Sequence, residues 1–128
     1  MRGVRLRPEE ALQYAVVQMV RLAFPRLLFF HVPNEKGTRT TFENMHLKRL
    51  GVVAGVADLI FCLPGGRFAA IELKAPERRS SSGKIVKAGK QTEGQEAFEA
   101  RAVTAGGLYA VCTSVQEVHD LLVEWKAR

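Results

Sequence analysis

Two cysteines in 128 residues, Cys62 and Cys112, are too few for a disulfide scaffold and fit a reducing compartment. Long apolar runs are lacking as well. The most apolar stretch, Leu22–Val32, is broken by Pro25 and Arg26 and falls far short of the ~20 residues a helical span requires. The first residues carry Arg2, Arg5 and Arg7, but Glu9 and Glu10 follow where a secretory signal would have an apolar core. No internal repeat is visible. His31, His46 and His119 show no ligand spacing and are expected to be ordinary surface or core histidines. The expectation is a soluble, cytoplasmic protein.

What is present is ordinary for a globular chain. Hydrophobic residues make up 47% and charged residues 25%, which excludes wholesale disorder. The length fits one domain over residues 1–128, large enough to bury a real core. Lys and Arg number 19 against 13 Asp and Glu, so the net charge is 19 minus 13, or +6. A polyanion is therefore a candidate partner.

Hydrophobic spacing sets the expected elements. Pro8 is a favoured first helical residue, and Leu12, Val16, Met19 and Ala23 follow on one helical face until Pro25 ends the run. Leu27–Val32 has the length and aromatics of a strand, and Pro33-Asn34-Glu35-Lys36-Gly37 the composition of a turn. Thr41–Leu50 suits a short helix closed by Gly51. Val56–Cys62 and Phe68–Lys74 are strand-like, and Pro64-Gly65-Gly66 between them is a hairpin signal, so the two should pair antiparallel. A mobile basic loop is expected over about 75–90, with Arg78, Arg79, Lys84, Lys87 and Lys90 against Glu77. Thr92 and Gln95 have capping-box spacing for a helix to Ala105, stopped by Gly106-Gly107. A strand at Leu108–Cys112 and a helix opened by Ser114 and Glu117 complete a mixed α/β order.

Chemistry concentrates at Asp58 and at Glu72-Leu73-Lys74. In the second hairpin strand Ala69, Ile71 and Leu73 share one face, while Phe68, Ala70, Glu72 and Lys74 share the other. Asp58, on the partner strand, can converge with Glu72, and two carboxylates with waters suit Mg²⁺ or Mn²⁺. Lys74 falls about 7 Å beyond Glu72 on the same face, in reach of a water or a phosphate. The plain structural reading stands beside this one: a Glu72–Lys74 ion pair, with Asp58 capping a turn.

Taken together, Gly51-Val52-Val53-Ala54-Gly55-Val56-Ala57-Asp58-Leu59-Ile60, the Glu72-Leu73-Lys74 triplet, Gln95, Glu10 three residues before Gln13, and the Pro33-Asn34-Glu35 loop resemble a VRR-Nuc domain. That is the virus-type replication-repair nuclease branch of the PD-(D/E)XK superfamily, in its stand-alone phage or bacterial form. The resemblance implies a restriction-endonuclease-like fold, a central mixed sheet flanked by helices. It implies a Mg²⁺-dependent endodeoxyribonuclease, Mn²⁺ substituting, that cuts branched DNA such as four-way (Holliday) junctions in replication and repair, as a homodimer. Asp58, Glu72 and the Leu73 carbonyl would hold the metal. Lys74 would position the attacking water, Gln95 would contact the site, and Glu10 would stand on the first helix, bound to metal directly or through water. Ala57 occupies the place where many relatives have proline, which changes strand entry and removes no ligand.

Other readings remain open at this level. Gln95 also serves as a helix cap, and Glu10 also favours the positive end of its helix. Cys62 and Cys112 are expected to fill the core. Lys48 and Arg49 are candidate phosphate contacts, as are Arg78, Arg79, Lys84, Lys87 and Lys90, which lack interleaved aromatics and suit sequence-independent contact to the DNA backbone. The competing functions are a flap-cutting or restriction-like nuclease acting as a monomer, and a non-catalytic nucleic-acid-binding module on the same fold.

Overall fold

The computed structural model describes residues 5–33 and 40–128; most of the expected turn after Pro33, from Asn34 on, lies outside them. The elements follow in the order α1 (Pro8–Ala23), β1 (Leu28–Phe30), α2 (Thr41–Arg49), β2 (Leu59–Leu63), β3 (Arg67–Leu73), β4 (Arg78–Arg79), β5 (Ile85–Val86), α3 (Glu93–Thr104), β6 (Leu108–Cys112) and α4 (Val115–Glu124). Among the described residues no helix is long and apolar enough to cross a membrane.

Local chemistry explains the boundaries. Pro8 opens α1, and the Glu10 carboxylate accepts from the Arg7 amide and from its Nε at the helix start. Thr40 accepts the Glu43 amide to begin α2. That helix ends with Gly51 at φ 99°, its amide bonded to the Lys48 carbonyl and that of Val52 to Leu47, the double closure a left-handed glycine permits. Pro64, Gly65 and Gly66 make the β2–β3 turn, both glycines at positive φ. Thr92 and Gln95 cap α3 reciprocally, as their spacing predicts.

A four-stranded mixed sheet, in the order β1-β2-β3-β6, forms the centre. β2 runs antiparallel to both of its neighbours, β1 and β3, and β6 joins β3 parallel after the α3 crossover. One face carries Leu59, Phe61, Leu63, Ala69, Ile71, Leu73 and Cys112 against Val16 and Val20 of α1 and Val118 and Leu122 of α4. Alternation puts Ile60, Ala70 and Tyr109 on the other face, where Phe98 of α3 packs against them.

Three expectations need revision. The first hairpin strand begins at Leu59 rather than Val56, so Asp58 lies one residue before β2. The 75–90 segment is not a plain loop: β4 and β5 pair as a short hairpin, with the Ser80 amide donating to the Lys84 carbonyl at 2.8 Å. Cys112 is buried as expected, but Cys62 is exposed, because it sits on the sheet face beyond the cover of α3. Helix α2 is the least integrated element: none of its residues is buried, and Phe42 and Met45 are exposed.

The strand-to-helix approach that positions α3 depends on Gly55. Its φ is +75°, and a Cβ there would overlap the Gly94 carbonyl group and crowd the Gln95 amide nitrogen. Gly55→Ala is therefore expected to cost about 1–3 kcal/mol for the backbone conformation alone, more with the clash, and to push the start of α3 outward. Chemical denaturation measures the first effect, and amide exchange at Gly94–Glu96 the second; unchanged values for both would show that the two backbones do not meet.

Candidate active site

The β2–β3 ladder runs from the turn up to the Leu59–Ile71 pair, and above that point β2 has left the sheet. The Leu73 amide, which would otherwise face an absent partner, donates instead to Asp58 Oδ2 at 2.7 Å. A carboxylate is thereby fixed beside the upper end of β3. Glu72 points to the α3 side of the sheet and is 2% exposed.

Gln95 joins the parts. Its Nε2 donates to Glu72 Oε1 at 2.9 Å, and its Oε1 accepts from Lys74 Nζ at 2.9 Å. The same Oε1 accepts the Thr92 amide at 2.9 Å, completing the helix cap. Capping and site contact therefore both hold for this residue. Lys74 Nζ lies 3.9 Å from Glu72 Oε1, and its stem is covered by Gly89, where a Cβ would come within 3.3 Å of Lys74 Cδ.

The electrostatics are unbalanced. Glu72 Oε2 is buried with no hydrogen-bond partner. Burial pushes the Glu72 carboxyl up to about 9, and the neighbouring Asp58 carboxylate adds to the shift against the opposing pull of Lys74. Tyr109 is pushed up to about 12, first by burial, while its hydroxyl takes a bond from Gln91 at 3.2 Å. Gln91 also donates to Glu99 at 3.0 Å, tying the end of the basic segment to α3 and β6.

Not every expected residue is brought here. The Glu10 carboxylate turns back to the Arg7 amide at 3.1 Å and its Nε at 3.2 Å, fully exposed and held below the usual carboxylate range by those bonds. Glu9 is the α1 carboxylate whose charge reaches Glu72. Helical spacing could have indicated this, since Glu9 lies 7 and 11 residues before the buried Val16 and Val20. His31 was also missed: its Nδ1 is 2.6 Å from the Asp58 backbone carbonyl, a contact that only strand register could reveal. Lys48 and Arg49 are exposed in the last turn of α2. Arg79, Lys84, Lys87 and Lys90 are exposed along the β4–β5 segment and Arg78 half-buried, with Arg78 and Arg79 bonded to the Pro76 and Gly83 carbonyls.

Among the described residues no group of three or more His, Cys, Asp or Glu side chains gathers to hold a metal ion. Two carboxylates do converge, one with an orphaned buried oxygen. That donor set fits a hard divalent cation, since Mg²⁺ is commonly held by one or two carboxylates with waters and substrate phosphate making up the rest.

The sheet order, the helices on both faces and the crossover define a mixed α/β fold consistent with the PD-(D/E)XK type. The same fold is found in solved VRR_NUC structures. A solved structure described as a VRR_NUC domain protein superposes over 95% of this chain and 90% of its own length, with TM-score 0.64 and 18% identity. Another, described as a VRR_NUC domain, covers 93% of this chain and 97% of its own, with TM-score 0.54 and 18% identity. No family model and no curated protein matches the sequence.

The raised Glu72 group links stability to pH in the metal-free protein. Its folded pKa, about 9, lies above the ordinary value of 4.5, so between the two the folded state holds a proton that the unfolded state has lost. Stability from this group is full at low pH and declines as pH rises toward 9. Glu72→Gln keeps the shape and cannot ionise. Thermal melts in chelator should show the parent losing stability relative to Glu72→Gln across that window; parallel curves would refute the shift.

Proposed function

We propose that the chain, as one domain over residues 1–128, is a VRR-Nuc nuclease: a Mg²⁺-dependent endonuclease that hydrolyses phosphodiester bonds in DNA, with Mn²⁺ able to substitute. The observation that carries this reading is Glu72, a carboxylate buried beside Asp58 with one oxygen unpartnered. A purely structural buried acid would have both oxygens satisfied; an orphaned buried oxygen with a second carboxylate nearby is an arrangement a cation can complete.

Asp58 and Glu72, with the Leu73 carbonyl, are the residues that would hold the ion. A divalent cation there supplies a water of lowered pKa and neutralises charge on the phosphate. Lys74 positions the attacking water and puts positive charge next to the phosphate as one P–O bond forms and another breaks. Gln95 orients Lys74 and Glu72 from its two ends. The Leu73 amide fixes Asp58. Basic groups on the β4–β5 segment, with Lys48 and Arg49, would hold phosphates of the flanking DNA, and a net charge of +6 favours the encounter.

Branched DNA is the proposed substrate and a homodimer the proposed form, in the cytoplasm of a bacterial or phage-infected cell. The exposed Phe42 and Met45 on α2 favour a protein contact there. A two-fold dimer would present two matched sites to a four-way junction. Incubating the protein with a four-way junction, a flap and plain duplex, each with Mg²⁺, Mn²⁺ or chelator, tests the proposal. Metal-dependent cutting of the junction supports it. Preference for the flap by a monomer favours the competing nuclease reading, and binding with no cutting favours a non-catalytic module.

Lys74→Ala should reduce the cleavage rate by about 10²–10³, the effect of removing one transition-state charge contact, while DNA binding and the fold persist; parental turnover would remove Lys74 from the mechanism. Replacing Lys84, Lys87 and Lys90 together by Ala should weaken binding to all sequences alike. The log–log salt slope should fall by about 0.9 per lost phosphate contact, roughly three in total, with turnover at saturating DNA unchanged. An unaltered slope would move the DNA path to Lys48 and Arg49.

A further inference from the structure

Strand register leaves one part of the sheet uncovered. Leu28, Cys62 and Phe68 stand side by side across β1, β2 and β3, and Phe30, Ile60 and Ala70 form the next row. Helix α3 covers Ile60 and Ala70 through Phe98. It does not reach the first row or the β1 edge: Leu28 is 63%, Phe30 48% and Phe68 41% exposed, and Cys62 is open as well. All four lie on the face that carries Glu72, because Phe68, Ala70 and Glu72 alternate along β3.

We infer that this strip, from Phe68 and Leu28 through Phe30 to the Asp58–Glu72 pair, is a stacking surface for the bases of an unpaired DNA strand entering the site. The inference rests on the nuclease reading and deepens it by naming the form of DNA next to the cut. Phe30 is one pleat repeat, about 7 Å, from the row of Glu72 along the strands and two strands, about 9–10 Å, across the sheet, so about 12 Å or roughly three to four stacked nucleotides at 3.4 Å each separate them. Aromatic rings on an open sheet face are the common platform for single-stranded bases, which have free faces to stack, whereas the bases of a duplex are already stacked on one another. Arg26 lines a cavity together with Leu28 and Cys62 at the far end of the strip and supplies a cation for the phosphates. A second copy of the chain is the weaker occupant. Only Phe30 and Phe68 of the four are large aromatics, which bury about 150–250 Å² each when fully covered, and both are already more than half covered, so the strip falls well below the ~800 Å² per partner of a standard interface.

Binding is measured in chelator, so that no strand is cut, with labelled oligothymidylate and blunt duplex against the parent, Phe30→Ala, Phe30→Leu and Phe30→Trp. Phe30→Ala and Phe30→Leu should weaken oligothymidylate binding by roughly 5- to 100-fold, the range for one lost base stack. Duplex binding should stay unchanged, and Phe30→Trp should retain parental affinity. Thermal melts establish that each variant folds, and the Leu variant keeps apolar packing if Ala does not. Equal oligothymidylate affinity for parent and Phe30→Leu would overturn the inference, as would a loss that tracks conversion of a dimer to monomer by light scattering. The two readings fail separately. Junction cutting that is intact and insensitive to Phe30, with unchanged oligothymidylate binding, removes the stacking surface alone. Phe30-dependent binding with no cutting of any substrate removes the nuclease reading alone.

Discussion

The Gln95 amide is the contact on which the site depends, because it meets three separate demands with one side chain. Its oxygen accepts from both Lys74 and the Thr92 amide, and its nitrogen donates to Glu72. The first bond holds an amine, the second starts a helix, and the third steadies a buried carboxylate. A shift of α3 by even an ångström would break the bonds to Lys74 and Glu72, since hydrogen bonds weaken steeply with distance and angle. This is why Gly55 and Gly94 are in contact: with no Cβ between them, the loop before β2 and the start of α3 approach as closely as the Gln95 bonds require.

The acidic pair is built where the sheet ends. Below it, Leu59–Leu63 satisfies β3 through an ordinary ladder. Above it, Asp58 replaces a ladder partner by accepting the Leu73 amide through its side chain. One exchange of backbone for side-chain acceptor thus fixes the aspartate and frees the upper edge of β3 for chemistry. The cost appears at Glu72, whose unpartnered oxygen and raised proton affinity are the penalty of burying a carboxylate without a full set of partners.

Much of this was legible in the sequence for identifiable reasons. The α1 and α4 stripes, the Gly65-Gly66 turn, the Gly51 closure and the Thr92–Gln95 cap are local signals, each decided within a few residues. Alternation in β3 placed Glu72 and Lys74 on one face before any coordinates. The α1 carboxylate was less legible. Glu10 and Glu9 differ by one position, or about 100° around the helix, and the cap at Arg7 claims Glu10 while the core-facing stripe carries Glu9. The β4–β5 hairpin was hidden by its Ser, Gly and Lys composition, which resembles a linker. The openness of Cys62 was hidden because alternation gives the face of a strand and not how far a helix extends over it.

By itself the sequence determined the order of the elements, the mixed α/β class, the basic charge and the chemically able residues, because propensity, turn preference and hydrophobic period act over short stretches of chain. Tertiary structure decided which of those residues meet. The His31 ring reaches the Asp58 carbonyl across 27 positions and Gln95 reaches Glu72 across 23. Such distances are closed only by strand register and helix crossover, which depend on how whole faces bury against one another and not on any local pattern.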